Sequence, residues 1–144
     1  PLQAKKPLKS TSLMSFKEIA VGDHSFQGKE KPIRLKDLTE NPLISLGQGS
    51  TTYEFYSKFF LENDLVLSPD TEVETIDQVL PLIMNGLGIG FLPELFVRPV
   101  IEEGKVCQIP LKENIPEREI CLVENHTFPP SITAEMFKKM LVLK

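Results

Sequence analysis

Cysteine and histidine are scarce in this chain, two of each in 144 residues, and their scarcity removes whole classes of chemistry. His24 follows a strand-like run, His126 lies in a proline-rich segment, and neither has a Cys or His companion at metal-ligand spacing. No metal and no cofactor are expected. Cys107 and Cys121 sit in apolar, strand-like runs, where a thiol acts as a small hydrophobe, so both are expected reduced and substantially buried. Positive charge is also short. A net charge of −4, a pI near 5.3 and the lack of any long basic run argue against a chain that itself grips a phosphate backbone. The densest positive cluster, Lys5, Lys6 and Lys9, reads as a solvated tether. No apolar run nears the roughly 18 residues of a membrane span, and no secretory signal opens the chain, so a cytoplasmic protein with no membrane contact is expected. The chain opens on Pro1 rather than Met, as a processed product or an excised piece would.

Catalytic signatures are missing too. Ser50 stands in Gly-Gln-Gly-Ser-Thr, not in the Gly-x-Ser-x-Gly elbow of a hydrolase. Glu72 with Glu74, and Glu102 with Glu103, read as solvated charge rather than paired acid and base. No catalytic residue is assigned and no enzyme is expected.

What is present is a globular composition, 41% apolar and 25% charged, and a glycine motif in an unusual order. In Asn85-Gly86-Leu87-Gly88-Ile89-Gly90-Phe91-Leu92-Pro93, the preceding Ile76, Val79, Leu80 and Ile83 recur at helical spacing, while the residues after the glycines read as a short buried strand. Helix, glycines, strand is the reverse of a dinucleotide fingerprint. Gly86 is expected to end a helix in the left-handed conformation, and Gly88 and Gly90 to let a strand pass close against packed neighbours.

Strands are expected near 18–22, 42–46, 71–75, 89–92, 105–111 and 118–123. Helices are expected near 51–62, 76–85, 94–102 and 132–143. This alternation argues for a mostly parallel sheet covered by helices. Pro81 and Pro99 should leave their helices bent or shorter than the apolar pattern suggests. Thr75 and Gln78 fit a capping box, and Ser131 opens the last helix, whose stripe of Ile132, Met136, Phe137, Met140 and Leu143 demands a partner surface.

Ligand chemistry is expected at a third helix start, Gly47-Gln48-Gly49-Ser50-Thr51-Thr52-Tyr53. Two glycines permit a tight turn, and three hydroxyl side chains stand beside helix-N-terminal amides, a setting that favours carboxylate, phosphate or sulfate. The plainer alternative is that Ser50 merely caps the helix. The same helix carries Tyr53, Phe55, Tyr56, Phe59 and Phe60, spread around more of its circumference than one buried face requires. An exposed aromatic interface is expected, although a single intramolecular core for all five stays open.

The segment from Glu74 to Pro93, followed by Glu94-Leu95-Phe96-Val97 and Gly104-Lys105-Val106, resembles the effector-binding, or substrate-binding, domain of LysR-type transcriptional regulators. So do Ile19–Phe26, with Ser25-Phe26 departing from the family's Pro-Leu, then Ile33–Leu38, Pro42–Gly47 and Pro116–Val123, in the family's order and spacing. The resemblance runs from about residue 7 to the end and implies an α/β, periplasmic-binding-protein-like (type 2) subdomain. It divides the chain into an entering segment or hinge at 1–12, effector-binding subdomain two at 13–111, and a returning strand and helix of subdomain one at 112–144. It also places the cleft's polar residues at the 47–52 turn, making Ser50, Thr51 and Thr52 the expected effector contacts, with Gln48 and Tyr53 in support.

The implied function is sensing of a small-molecule effector, anionic by the helix-terminus argument. The implied partners are a homodimer or tetramer through the effector domains, and DNA only through an N-terminal helix-turn-helix that this sequence lacks. The runner-up is a solute-binding domain of the same fold class without regulatory role. A third reading is an enzyme on that fold, such as a prephenate dehydratase-like protein.

Overall fold

The computed structural model describes residues 7–142, so Lys5, Lys6 and Leu143 lie outside the described residues. In chain order the elements are β1 (Leu8–Phe16), β2 (Glu18–Asp23), α1 (Leu35–Leu38), β3 (Leu43–Leu46), α2 (Thr51–Leu61), β4 (Thr71–Val73), α3 (Val79–Met84), β5 (Ile89–Pro93), α4 (Glu94–Glu102), β6 (Val106–Ile109), β7 (Arg118–Asn125) and α5 (Ile132–Val142). Short 3₁₀ turns add His24–Phe26 and Ile76–Gln78. Two compact units result, one from Lys17 to Pro116 and one that joins β1 to the chain from Glu117 onward.

The larger unit is built on a five-stranded sheet in the order β4-β3-β5-β2-β6. Alternating side chains serve its two faces. Ala20, Leu43, Ile89, Phe91 and Ile109 pack with Leu35, Leu38, Tyr56, Phe59 and Phe60 of α1 and α2. Ile19, Val21, Ile44, Leu92 and Val106 pack with Val79, Ile83 and Val97 of α3 and α4. Helices on both faces explain why the strands are almost continuously apolar.

The sheet is mixed, with one strand running against the other four. β3 runs parallel to β4 and to β5, but β2 runs antiparallel to both of its neighbours, β5 and β6. β2 therefore splits the β5–α4–β6 crossover. Each of β3, β4, β5 and β6 is joined to the next by a helix and shares one direction, so helix and strand alternation predicted those four correctly. Periodicity carries no information on the direction of the first strand, and β2 is the exception.

The α2 aromatics also differ from expectation. Tyr56, Phe59 and Phe60 are buried, and Tyr53 and Phe55 are partly buried against the same core cluster. Tyr56 and Phe60 both pack on Phe91 of β5, with ring centroids 4.9 and 6.0 Å away. Polar and charged Thr51, Glu54 and Lys58 take the solvent side. All five rings belong to one intramolecular core because α1, the 65–67 segment and the sheet surround more of α2 than a single flat contact would.

Helix ends follow a common chemistry. After α3, Gly86 (φ +72°) is left-handed; its N–H donates to the Ile83 carbonyl at 2.9 Å, and the Leu87 N–H donates to the Leu82 carbonyl at 3.1 Å. That pair of bonds closes a Schellman motif. Gly90 comes so close to α3 that a Cβ there would lie 2.8 Å from Val79 Cγ1 and 3.2 Å from the Ile44 carbonyl oxygen. A Cβ on Gly88 would overlap the Pro42 carbonyl. The glycine motif is thus structural, as its order implied.

The two prolines act differently. The helix expected at 76–85 is shortened to Val79–Met84, which makes Pro81 a first-turn residue that needs no intrahelical donor. Upstream, Gln78 Oε1 accepts from the Thr75 and Glu74 amides at 3.2 and 3.0 Å, the reach-back arm of the expected capping box. α4 keeps its full expected span with Pro99 inside it.

In the smaller unit β1 and β7 form an antiparallel pair from Leu8↔Asn125 to Phe16↔Arg118, with a bulge between Ser12 and Met14. β1 spans the end of the entering segment expected at 1–12 and the start of the stretch assigned to subdomain two at 13–111, where no strand was expected. Its Lys9-Ser10-Thr11-Ser12 run hides it, since polar residues there break the apolar alternation that marks a strand. α5 is capped by Ser131 Oγ, which accepts from the Ala134 amide at 3.1 Å, and it is tied to β7 by Lys138 Nζ and Glu124 Oε1 at 2.7 Å. Cys107 and Cys121 are free thiols in β6 and β7, yet each is only half-buried. β6 is an edge strand and β7 belongs to a two-stranded sheet, so neither thiol is covered as the expectation required.

Candidate functional site

The expected site lies at the carboxyl end of β3, where strands of an open α/β sheet present their loops to ligands. The Gly47 amide donates to the Val73 carbonyl at 3.2 Å, which holds the turn against β4. Gly49 adopts φ +91°, a left-handed value that admits the chain to α2 without a side-chain clash. Ser50 is the helix N-cap. Its Oγ accepts from the Tyr53 amide at 3.0 Å and lies 3.1 Å from the Gly47 carbonyl, so this hydroxyl serves the turn and the cap together.

Thr51 and Thr52 occupy the first two helical positions, Thr51 exposed and Thr52 half-buried. The Thr51 amide has no intrahelical acceptor at that position. Gln48 is exposed on the turn, while Tyr53 is drawn toward the core beneath α2. The turn therefore gathers Gln48, Ser50, Thr51 and Thr52, and Tyr53 stands apart from them as a packing residue.

One neighbour escaped the sequence reading. The Glu72 carboxylate lies 3.3 Å from where a Gly47 Cβ would stand, because the parallel β3–β4 register sets Ser45 opposite Glu72. Only strand pairing, which the sequence does not print, could reveal it. Chemically the turn offers amide and hydroxyl donors to an anionic oxygen on one side and a carboxylate acceptor on the other.

Residues 6–142 match the model of the LysR substrate binding domain. The chain belongs to this family. The chain is 29% identical over 101 residues to the uncharacterized HTH-type transcriptional regulator YwqM of Bacillus subtilis (strain 168), a match covering 70% of this chain and 34% of that protein. It is 36% identical over 64 residues to the HTH-type transcriptional activator CmpR of Synechocystis sp. (strain ATCC 27184 / PCC 6803 / Kazusa), covering 44% of this chain and 21% of that one. This LysR domain thus spans about a third or less of those relatives.

Among solved structures, the effector-binding domain of QuiR in complex with shikimate superposes with a TM-score of 0.81 at 17% identity, covering 99% of this chain and 68% of that one. The Synechocystis PCC6803 CcmR regulatory domain in complex with 2-PG gives 0.83 at 13% identity, covering 98% and 69%. At such identities the likeness concerns the fold, the periplasmic-binding-protein-like α/β architecture of LysR domains. Among the described residues no group of three His, Cys, Asp or Glu could hold a metal, and no helix is long and apolar enough to cross a membrane.

Proposed function

We propose that this LysR domain is the effector-sensing part of a transcription regulator and that a small anionic molecule binds at the 47–52 turn. The observation that carries the reading is the N-terminus of α2, where Thr51 and Thr52 follow the Ser50 cap at the carboxyl end of β3. Relatives bearing helix-turn-helix names, and effector domains of this fold holding shikimate or 2-PG, support it. The compact unit Lys17–Pro116 is read as the subdomain two that the resemblance put at 13–111, and the chain from 112 as the part returning to subdomain one.

Sensing works by population shift. An effector that binds one domain arrangement better than another moves the equilibrium by its differential affinity, and the arrangement of protomers on DNA follows. In this reading the regulator acts in the cytoplasm as a homodimer or tetramer, touches DNA through a helix-turn-helix region outside this chain, and uses no catalytic residue or cofactor. Titration with inorganic phosphate, shikimate and 2-PG, followed by calorimetry and by amide chemical shifts, tests it. Saturable shifts centred on residues 48–52 are expected. Shifts elsewhere with 48–52 unmoved would displace the site.

A further inference from the structure

The larger unit holds an unpartnered polar group beside the 47–52 turn. Ser45 of β3 is only 7% exposed, and its Oγ has no hydrogen-bond partner. Buried hydroxyls are ordinarily paired, so an orphan marks a position that a further group completes. Ser45 and Gly47 project from one face of β3, and the register sets Ser45 opposite Glu72 of β4. A side chain built on Gly47 would meet the Glu72 carboxylate at 3.3 Å. The orphan hydroxyl is thus aimed along the face that ends in the turn, with Glu72 beside it.

Glu72 also walls an open groove of about 600 Å³, together with Val73, Glu74, Asp77, Gln78 and Leu82. No cation lines that groove, and among the described residues none of its three carboxylates takes part in an ion pair. Amide and hydroxyl donors at the start of α2 therefore adjoin unneutralised negative charge. A plain anion gains from the donors but is repelled by the carboxylates, whereas a molecule that carries a cation next to its anion gains from both.

We propose that the effector is a small zwitterion, a carboxylate or phosphate with an ammonium group close to it. The inference rests on the reading of the 47–52 turn as the effector site and adds the class of molecule that the turn selects. The anionic group sits at the amides and hydroxyls that open α2. Glu72 takes the ammonium, which offers three donors and accepts nothing. Ser45 is a positioning residue. Its hydroxyl, without an acceptor in the unliganded turn, donates to the Glu72 carboxylate once the ammonium holds that exposed side chain in place. Glu74 and Asp77 deepen the negative potential without touching the ligand.

The test compares ethyl phosphate with phosphoethanolamine, which differ by the ammonium group, in titrations of the full chain followed by the amide shifts of residues 48–52. Phosphoethanolamine is expected to bind about 10-fold more tightly, the effect of a hydrogen bond to a charged group. Glu72 is exposed, so Glu72→Gln should fold like the parent by far-UV circular dichroism. In that variant the preference should vanish, while ethyl phosphate binds as well as before or better. Ser45→Ala should reduce the preference about threefold and leave ethyl phosphate binding and the denaturation midpoint no lower, because the hydroxyl it removes has no partner in the unliganded turn. Equal affinity for the two phosphates, or a preference that survives Glu72→Gln, overturns this proposal and leaves the turn as an anion site. Failure of both phosphates to move residues 48–52 overturns it together with the reading on which it rests.

Discussion

Ser50 and Thr51 are adjacent but have separable roles. The Ser50 hydroxyl caps α2, so Ser50→Ala should cost about 1 kcal/mol of stability, read as a lower denaturation midpoint. Thr51 is exposed and makes no such contact, so Thr51→Val should leave stability within about 0.5 kcal/mol. It should weaken effector binding by about 1–2 kcal/mol, the scale of a hydrogen bond to a charged group. Calorimetry on a complete regulator separates the two effects. Unchanged affinity in both variants would remove the turn from consideration.

Gly90→Ala should destabilise by about 1–3 kcal/mol through overpacking against Val79 and the Ile44 carbonyl, as measured by urea unfolding. At this scale the sequence was legible where a residue's backbone demand is local, as at Gly86. It was silent on Glu72, whose place beside Gly47 depends on which strands pair.

At the scale of elements, all four expected helices and all six expected strands are found, with ends moved by a few residues. Existence was legible because apolar spacing of 3.6 or 2 survives in the sequence. β1 was not, since its first half is polar after Leu8. The α2 aromatics show a further limit. A helical wheel gives the angular spread of side chains but not how far the surrounding elements reach around them.

α5 holds to β7 in part through Lys138 and Glu124. The lysine's hydrogen bond, reinforced by its charge and by His126 and Lys9, keeps the Glu124 carboxyl below its usual range. The folded form thus binds this proton less readily than the unfolded chain. The tether's contribution is complete above the unfolded glutamate value, about 4.3, and fades as pH falls through the lowered folded value. Protection factors of α5 amides should fall in the parent once pH drops below the unfolded glutamate value, and Lys138→Met should show the lower protection already at neutral pH. Equal exchange in the two proteins at pH 7 would mean that the ion pair does not hold the helix.

At the scale of the molecule, stability should be unequal. The larger unit has cores on both sheet faces, whereas the smaller one rests on two strands and a helix exposed along its apolar stripe. A fragment spanning 17–116 should therefore unfold cooperatively by circular dichroism, and limited proteolysis of the whole chain should cut first around α5. Protection of α5 with loss of the 17–116 region would reverse this ranking.

The antiparallel insertion of β2 also sets a schedule. Ala20 takes its sheet partners from Phe91 and Ile109, about 70 and 90 residues further along, and β2 touches no earlier strand of its sheet. At about 5–20 residues per second, a ribosome leaves this apolar strand unpaired for on the order of 5–20 s after it is made. The first strand of the larger unit to emerge is thus among the last to be sealed, and β3 and β4, only a helix apart, can pair while it waits. In this interval Ile19, Ala20 and Val21 are most open to chaperones and to pairing with a neighbouring nascent chain.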